Sequence, residues 1–483
     1  ARGAMVSRNV SALIMNDDEG DRFAMDSRVR RLAEKMSGAG LPQIAVASFS
    51  RSAAFVASNG ETLIREADIQ PADAVSSYEE ISGYKNRGLE VLGQTAVVKL
   101  NGGLGTSMGL AKAKSLLPVR KDVSFLDLIA RQILHQREVH GVELPLILMN
   151  SYRTQDDSLA ALAAYPELAG SFPLDFLQHK VPRILTETFE PVEWSEDPSL
   201  EWCPPGHGDL YIAMASSGML ANLLDEGYRY CFVSNADNLG AVLDPSILGW
   251  MASGELPFVM EVAKRTEADK KGGHLAIDAQ GGLLLREVAQ CSDQDRDAFQ
   301  NVERHRYFNT NNLWLDLRAL DQALRAGGFD LPVICNEKPV SASDPDSPRC
   351  YQIETAMGAA ISLFPGARAI EVPRTRFAPV KTTNDLLVLW SDAYEVSSDH
   401  RLVPSADSGD RNPVVDLDPT HFGMIDDLMQ RFSGGAPSLA KCDRWRVRGD
   451  HHFGSGVVVE GNVEMINEDV ERKTIKAGSV FQS

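Results

Sequence analysis

Residues able to do chemistry gather in a few short stretches, and the densest is 95–121. Thr95-Ala-Val-Val-Lys-Leu100 is β-rich and runs into a loop with glycine at 102, 103, 105 and 109, then Lys112, Lys114 and Pro118. Glycine has no Cβ, so its backbone can take positive φ and lie close to a ligand. Successive bare N–H groups make a concavity suited to anionic oxygens, and the lysines add point charges where phosphates would sit. The loop is not a P-loop, because no Gly-Lys-Ser/Thr closes the glycine run. It is not the dinucleotide fingerprint either, since Met108 stands where the third glycine belongs. The glycines alone fit a plain strand-to-helix turn equally well. The Lys-Ala-Lys-Ser-Leu-Leu-Pro tail moves the reading to a nucleotide-phosphate loop.

Four further stretches carry polar chemistry. Asn235-Ala-Asp-Asn-Leu-Gly240 follows the β-rich run Tyr228 to Ser234. A carboxylate there, Asp237, suits Mg²⁺, which takes one or two carboxylates plus substrate phosphates; an Asx turn fits the same residues equally well. Pro204-Pro-Gly-His-Gly-Asp209 is a rigid turn exposing backbone and one imidazole, although a lone histidine is more often structural. Phe308-Asn-Thr-Asn-Asn-Leu-Trp314 puts three amides in four residues. Amides donate and accept, which suits sugar hydroxyls; a turn or helix cap is the alternative. Lys381 lies between a Pro-fixed extended segment and a helix expected from Asp385 to Tyr394, and by itself reads as a solvated side chain. There is no Ser-His-Asp or paired-carboxylate signature.

These residues need elements to hold them. Residues 95–152 form a β-loop-α-β unit. Ser124 reads as an N-cap with Asp127 in the capping-box position. Phe125, Leu128, Ile129, Ile133 and Leu134 make an apolar stripe, and His140-Gly141 ends the helix. Leu144 to Met149 is a buried-strand run. Strand, crossover helix and strand imply a parallel sheet, with ligands outside the carboxyl ends of strands, where the 101–109 loop falls. Pro257 to Lys264 reads as a strand, Asp269 to Leu275 as a basic hairpin-like turn, Glu354 to Ala360 as a helix and Glu371 to Arg374 as a short strand. Upstream, 5–90 is mostly helical, with a one-face pattern from Ser27 to Met36 and a weakly patterned Ser48 to Asn59. A polar linker at 398–420 precedes short β-branched runs set between glycines, which suggest a small β-helix-like or sandwich module.

Composition bounds the rest. A chain of 483 residues suggests roughly three domains at about 150 residues each. The net charge of −19 disfavours nucleic acid and anionic membranes, which want basic surfaces. The six cysteines form no C-x-x-C and have no ligand-spaced histidine; they read as reduced thiols of a cytoplasmic protein. No run is apolar enough for a transmembrane helix, and no signal peptide is evident. Ala1-Arg-Gly-Ala4 ahead of Met5 reads as a cloning addition and is set aside.

Leu100-Asn-Gly-Gly-Leu-Gly-Thr-Ser-Met-Gly109 with its downstream Lys114-Ser115 resembles the signature loop of eukaryotic-type UTP–glucose-1-phosphate uridylyltransferases, and ordered motifs extend the likeness over about 95–395. The resemblance implies an α/β fold, a doubly wound mixed, mostly parallel sheet of the Rossmann-like nucleotidyltransferase kind. It implies a helical region at 5–90, a catalytic domain at 91–397, and a linker with a left-handed β-helix-like module at 398–483, sometimes used for self-association. It implies that UTP and glucose 1-phosphate give UDP-glucose and pyrophosphate with Mg²⁺ held at Asp237. Lys114 and Lys381 become the catalytic lysines. Leu100, Asn101, Gly102, Gly103, Gly105, Thr106, Gln178, Gly206 and His207 become nucleotide contacts, and Asn235, Gly273, Asn309 and Asn311 contacts to the sugar phosphate. The match departs at His179 and Val181, where the family often has Asn and an aromatic. A related UDP-sugar or UDP-N-acetylhexosamine pyrophosphorylase is the alternative, disfavoured by the loop sequence; a catalytically silent nucleotide-sugar binder is a second.

Overall fold

The computed structural model describes residues 27–483 apart from 74, 121 and 410; the expectations for residues 1–4 and for the 5–26 part of the helical region lie outside that range. Two compact units alternate along the chain. The first takes the described residues up to Val98, then Asp175–Val233 and Asp244–Pro373; the second takes Lys99–Leu174, Ser234–Leu243 and Arg374–Ser483.

In the first unit the central strand is Phe258–Lys264. It pairs parallel with Arg368–Glu371 and antiparallel with Tyr307–Asp316, which in turn pairs antiparallel with Tyr230–Asn235 from Tyr230 to Val233. Both faces are covered: Phe258 to Ala263 are all buried. That explains a sequence run that is nearly continuous in apolar residues rather than alternating. Glu261 is the exception, and its two carboxylate oxygens accept from Asn312 Nδ2 at 3.0 Å and Trp314 Nε1 at 2.9 Å.

The helices Ser27–Gly38 and Gln43–Ala57 pack into one core with Val181, Ile184, Phe189, Cys203, Val333 and Ile353. Val29, Leu32 and Met36 supply the buried face of the first, at helical spacing. Lys35 fastens it by donating to the Val192 carbonyl and to Glu201, both at 2.6 Å. These helices therefore brace the strands that lead into the 204–209 turn.

In the second unit the helix Phe125–His140 begins and ends as its sequence dictates. Ser124 and Asp127 close a capping box, and Gly141 takes φ 63° at the C-terminus. The strand Leu146–Asn150 is buried throughout. The C-terminal region forms parallel ladders. Val414–Leu417, Cys442–Arg448, Val458–Ile466 and Val480–Gln482 pair in that order, and His451–Phe453 pairs with Lys473–Ile475. Phe422, Phe432, Trp445 and Phe453 fill their interior, with Phe432 stacked on Phe453 at 4.7 Å.

Three local expectations are corrected. The helix expected from Asp385 to Tyr394 runs Thr383–Trp390, and Tyr394 opens the short strand Tyr394–Val396. Glu354 and Thr355 end the strand Asp344–Thr355, and the following turns, Met357–Leu363, are 3₁₀ rather than α-helix. The strand near Glu371 lies earlier, at Arg368–Glu371, and Arg374–Arg376 is a 3₁₀ turn.

Candidate active site

In the second unit the glycine loop doubles back on its lysine tail. Gly105 N donates to Lys112 O at 3.4 Å and Lys114 N to Gly103 O at 3.1 Å, which makes an antiparallel bridge between Leu104 and Ala113. The amides of Met108, Gly109 and Leu110 turn inward onto Gly105 and Thr106 carbonyls. Each glycine has its own reason. A Cβ at Gly105 would lie 2.5 Å from Leu110 Cδ1, and Gly109 sits at φ +80°. A Cβ at Gly103 would meet nothing within 4 Å, so this exposed glycine is required by nothing inside the protein. Thr106 is likewise exposed, and Leu100 and Gly102 are half-buried.

Asn101 is different. Its Nδ2 donates to Asn150 Oδ1 at 2.7 Å and Ser158 Oγ at 2.8 Å, and it is 3% exposed. Its side chain fixes the end of one strand to the end of another, so any nucleotide contact from this position falls to its backbone. Lys99, which the sequence reading passed over, is buried with its Nζ donating to Ser234 Oγ and Ala241 O, both at 2.7 Å. It anchors the 234–241 turn against the strand that feeds the loop.

That turn carries Asp237. Lys114 Nζ donates to Asp237 Oδ2 at 2.6 Å, while Oδ1 is buried with no hydrogen-bond partner. The Asx-turn role belongs to the next residue: Asn238 Oδ1 accepts from Gly240 N at 3.2 Å. Asp237 is thus relieved of capping, and its second oxygen is orphaned, which is a donor set fit for a cation completed by phosphate oxygens. Among the described residues no group of three or more His, Cys, Asp or Glu side chains could cage a metal. Val380 N donates to Asp237 O at 3.2 Å, so the segment leading to Lys381 is hydrogen-bonded to the turn bearing Asp237. Lys381 is exposed and immediately precedes the helix Thr383–Trp390, which Thr382 and Asp385 cap.

In the first unit the Pro204–Asp209 turn is built around Gly206. Its φ is +80°, and a Cβ there would lie 2.4 Å from Thr355 O. Gln178 Nε2 donates to Gly206 O at 2.9 Å. His207 Nδ1 accepts from Met357 N at 2.9 Å, and burial pushes its pKa down to about 4. The imidazole is therefore neutral, with its proton on Nε2, and can offer a hydrogen bond but not a positive charge. The departure at His179 has a local explanation. Its backbone N donates to Asp209 Oδ2 at 2.7 Å, its ring Nδ1 to Oδ1 at 2.8 Å, and Ser216 Oγ lies 3.1 Å from Nε2. His179 holds the end of the turn.

The three amides lie on a strand, Tyr307–Asp316, at a β-bulge where the register against Phe258–Lys264 shifts between Glu261 and Val262. Asn311 takes φ +59°, and Asn309 Nδ2 donates to Asn311 Oδ1 at 2.8 Å. Bulges re-aim side chains, and here they pair two half-buried amides. Asn309 N donates to Gly273 O at 3.2 Å, which brings Gly273 beside them. Asn235 is half-buried at the end of its own strand in the second unit. All six cysteines are free, and burial pushes the Cys203 and Cys231 thiols up to about 12, so they are inert packing groups.

Residues 47–460 match the family model described as UTP–glucose-1-phosphate uridylyltransferase. The chain is 39% identical over 394 residues to the UTP–glucose-1-phosphate uridylyltransferase of Hordeum vulgare, covering 81% of each chain. It is 38% identical over 415 residues to a probable one of Schizosaccharomyces pombe, covering 85% of this chain and 80% of that one. Among solved structures it is similar to a variant UDP-glucose pyrophosphorylase from Leishmania major in complex with UDP-glucose, at TM-score 0.88 and 42% identity over 95% of this chain and 98% of that one. A UDP-glucose phosphorylase from Trypanosoma brucei matches at TM-score 0.86 and 43% identity over the same shares.

Proposed function

This chain belongs to the UTP–glucose-1-phosphate uridylyltransferase family, and from that premise we propose how it forms UDP-glucose and pyrophosphate from UTP and glucose 1-phosphate. The sugar phosphate attacks the α-phosphorus of UTP in line, and pyrophosphate leaves. The nucleophile is already an anion near neutral pH, because the second phosphate pKa is about 6, so no general base is needed. What opposes reaction is charge: two unit charges at 4 Å repel by about 4 kcal/mol at an effective dielectric of 20. Positioning and neutralisation must supply the rate.

The observation that carries this reading is the pairing of Lys114 with Asp237 in a unit whose glycine loop leaves Gly103 open. The amides of Gly102, Gly103 and Leu104 hold phosphate oxygens. Lys114 leaves Asp237 for the UTP phosphates. Lys381 bridges the two reacting phosphates. Asp237, through its orphaned oxygen, holds Mg²⁺, which when bound neutralises phosphate charge. In the first unit, Gly206 and Gln178 take the uracil edge and His207 donates to phosphate as a neutral imidazole. Asn309, Asn311 and Gly273 take sugar-phosphate groups, as does Asn235 in the second unit.

Two coarser assignments accompany it. The exposed Val480 on the last rung of the parallel ladder supports self-association through the C-terminal module. Six free thiols support a cytoplasmic location; no helix of the described residues is long and apolar enough to cross a membrane. The deciding assay mixes the full chain with UTP, Mg²⁺ and either glucose 1-phosphate or N-acetylglucosamine 1-phosphate. Pyrophosphate release with the first, undiminished by competition from the second, is expected. Release only with the amino sugar would move the chain to the hexosamine branch, and release with neither would make it a silent binder.

A further inference from the structure

Asn238 makes more use of its side chain than any other residue of the 235–240 turn. It is 1% exposed. Its Nδ2 donates to Arg376 O at 3.1 Å, and its Oδ1 accepts from both Gly240 N at 3.2 Å and Ala378 N at 3.0 Å. An antiparallel bridge joins Asn238 to Pro379, and Val380 N reaches back to Asp237 O at 3.2 Å. The contact is tight elsewhere too. A Cβ at Gly240 would stand 2.3 Å from Thr375 O, and Arg376 donates to Val242 O at 2.9 Å. Lys381 follows directly, with its own N donating to Asp385 Oδ2 at 2.8 Å. The backbone before Lys381 is therefore fixed from one side by Asn238 and from the other by a helix cap.

We propose that Asn238 is a positioning residue for uridylyl transfer: it sets where Lys381 stands relative to Asp237. The proposal rests on the assignment of Lys381 to the reacting phosphates. An amide presents a donor and an acceptor from one planar group, and both are needed here, one for a carbonyl and one for two N–H groups. An Asp at this place would keep the acceptor and turn a carboxylate oxygen onto the Arg376 carbonyl. A Leu of similar size would satisfy neither. A misplacement near 1 Å in a catalytic group costs about 100-fold, so losing this clamp should act on turnover rather than on substrate binding.

The test is a double-mutant cycle on the full chain, measuring kcat and the KM for UTP by pyrophosphate release. Asn238→Ala is expected to lower kcat about tenfold or more with the KM for UTP held within about threefold. In a Lys381→Ala background the same change should cost less than about twofold, because the residue it positions is gone. Losses that multiply in full, or an unchanged kcat in Asn238→Ala, overturn the proposal. Wild-type turnover in Lys381→Ala alone would overturn the underlying assignment instead, so the two failures are told apart. Asn238→Asp gives an independent reading and serves if the alanine variant does not fold. It keeps the acceptor and loses the donor to the Arg376 carbonyl, so its kcat should fall with the KM for UTP held within about threefold; the same fall in a Lys381→Ala background contradicts the clamp.

Discussion

Lys114 Nζ stands 2.6 Å from Asp237 Oδ2, joining residues 123 positions apart. The pair is partly exposed, at 18% and 21%. At that exposure a triphosphate and a divalent cation could each reach one partner with the opposite charge.

Asp237→Ala is expected to abolish turnover or its Mg²⁺ dependence while leaving Tm within a few degrees, since Asn238 and not Asp237 caps the turn. A magnesium titration of pyrophosphate release checks it. An unaltered metal titration returns Asp237 to a structural role.

Lys381→Ala should lower kcat about tenfold or more, since on the proposed assignment it removes a charge that would meet the developing negative charge of the transition state. The side chain is exposed, so thermal stability should not move. Steady-state kinetics beside a melting curve separate the two effects.

Two glycines should respond in opposite ways. Gly103→Val places its side chain in open space, so the protein should fold normally and lose UTP affinity. Gly206→Val has a φ of +80° and backbone at 2.4 Å against it, so it should lose stability first, by ~1–3 kcal/mol or more. Calorimetric UTP titration and urea unfolding of both variants test the contrast.

His274 is fully buried, stacked on His305 at 3.8 Å and close to Phe299 at 4.8 Å. Burial, reinforced by His305, pushes its pKa down to about 2. The unfolded chain takes up this proton near pH 6.5 and the folded protein does not, so stability holds above pH 6.5 and declines as pH falls below it. At pH 5 the loss from this one group is about 2 kcal/mol. His274→Phe, which keeps the stacking, should flatten the fall of Tm between pH 7 and pH 5; an unchanged slope would remove His274 from the cause.

What the sequence made legible was local chemistry with a local consequence. The Ser124–Asp127 box and Gly141 delimit their helix because caps are read within four residues. The strand Thr95–Asn101 ends where the glycine run begins. The Ala- and Ser-rich helix Gln43–Ala57 gave a weak pattern because its small residues carry little contrast between faces. The amides of 309–312 suggested a turn or cap; a bulge set by a partner strand some 50 residues away put them on a strand. In the candidate site, Lys114 pairs with Asp237 and Gly103 stands open. Asn101, His179, Lys99 and Asn238 could not be sorted by type alone. Each is polar, and each is defined by a partner between 30 and 142 residues distant.

The most direct test is a crystal structure of the full chain with UDP-glucose and Mg²⁺. Pyrophosphoryl oxygens are expected about 3 Å, hydrogen-bond distance, from the 102–104 amides, with the ammonium groups of Lys114 and Lys381 on the phosphates and Lys114 withdrawn from Asp237. A linkage bound away from that loop, with Lys114 still paired to Asp237, would contradict that assignment.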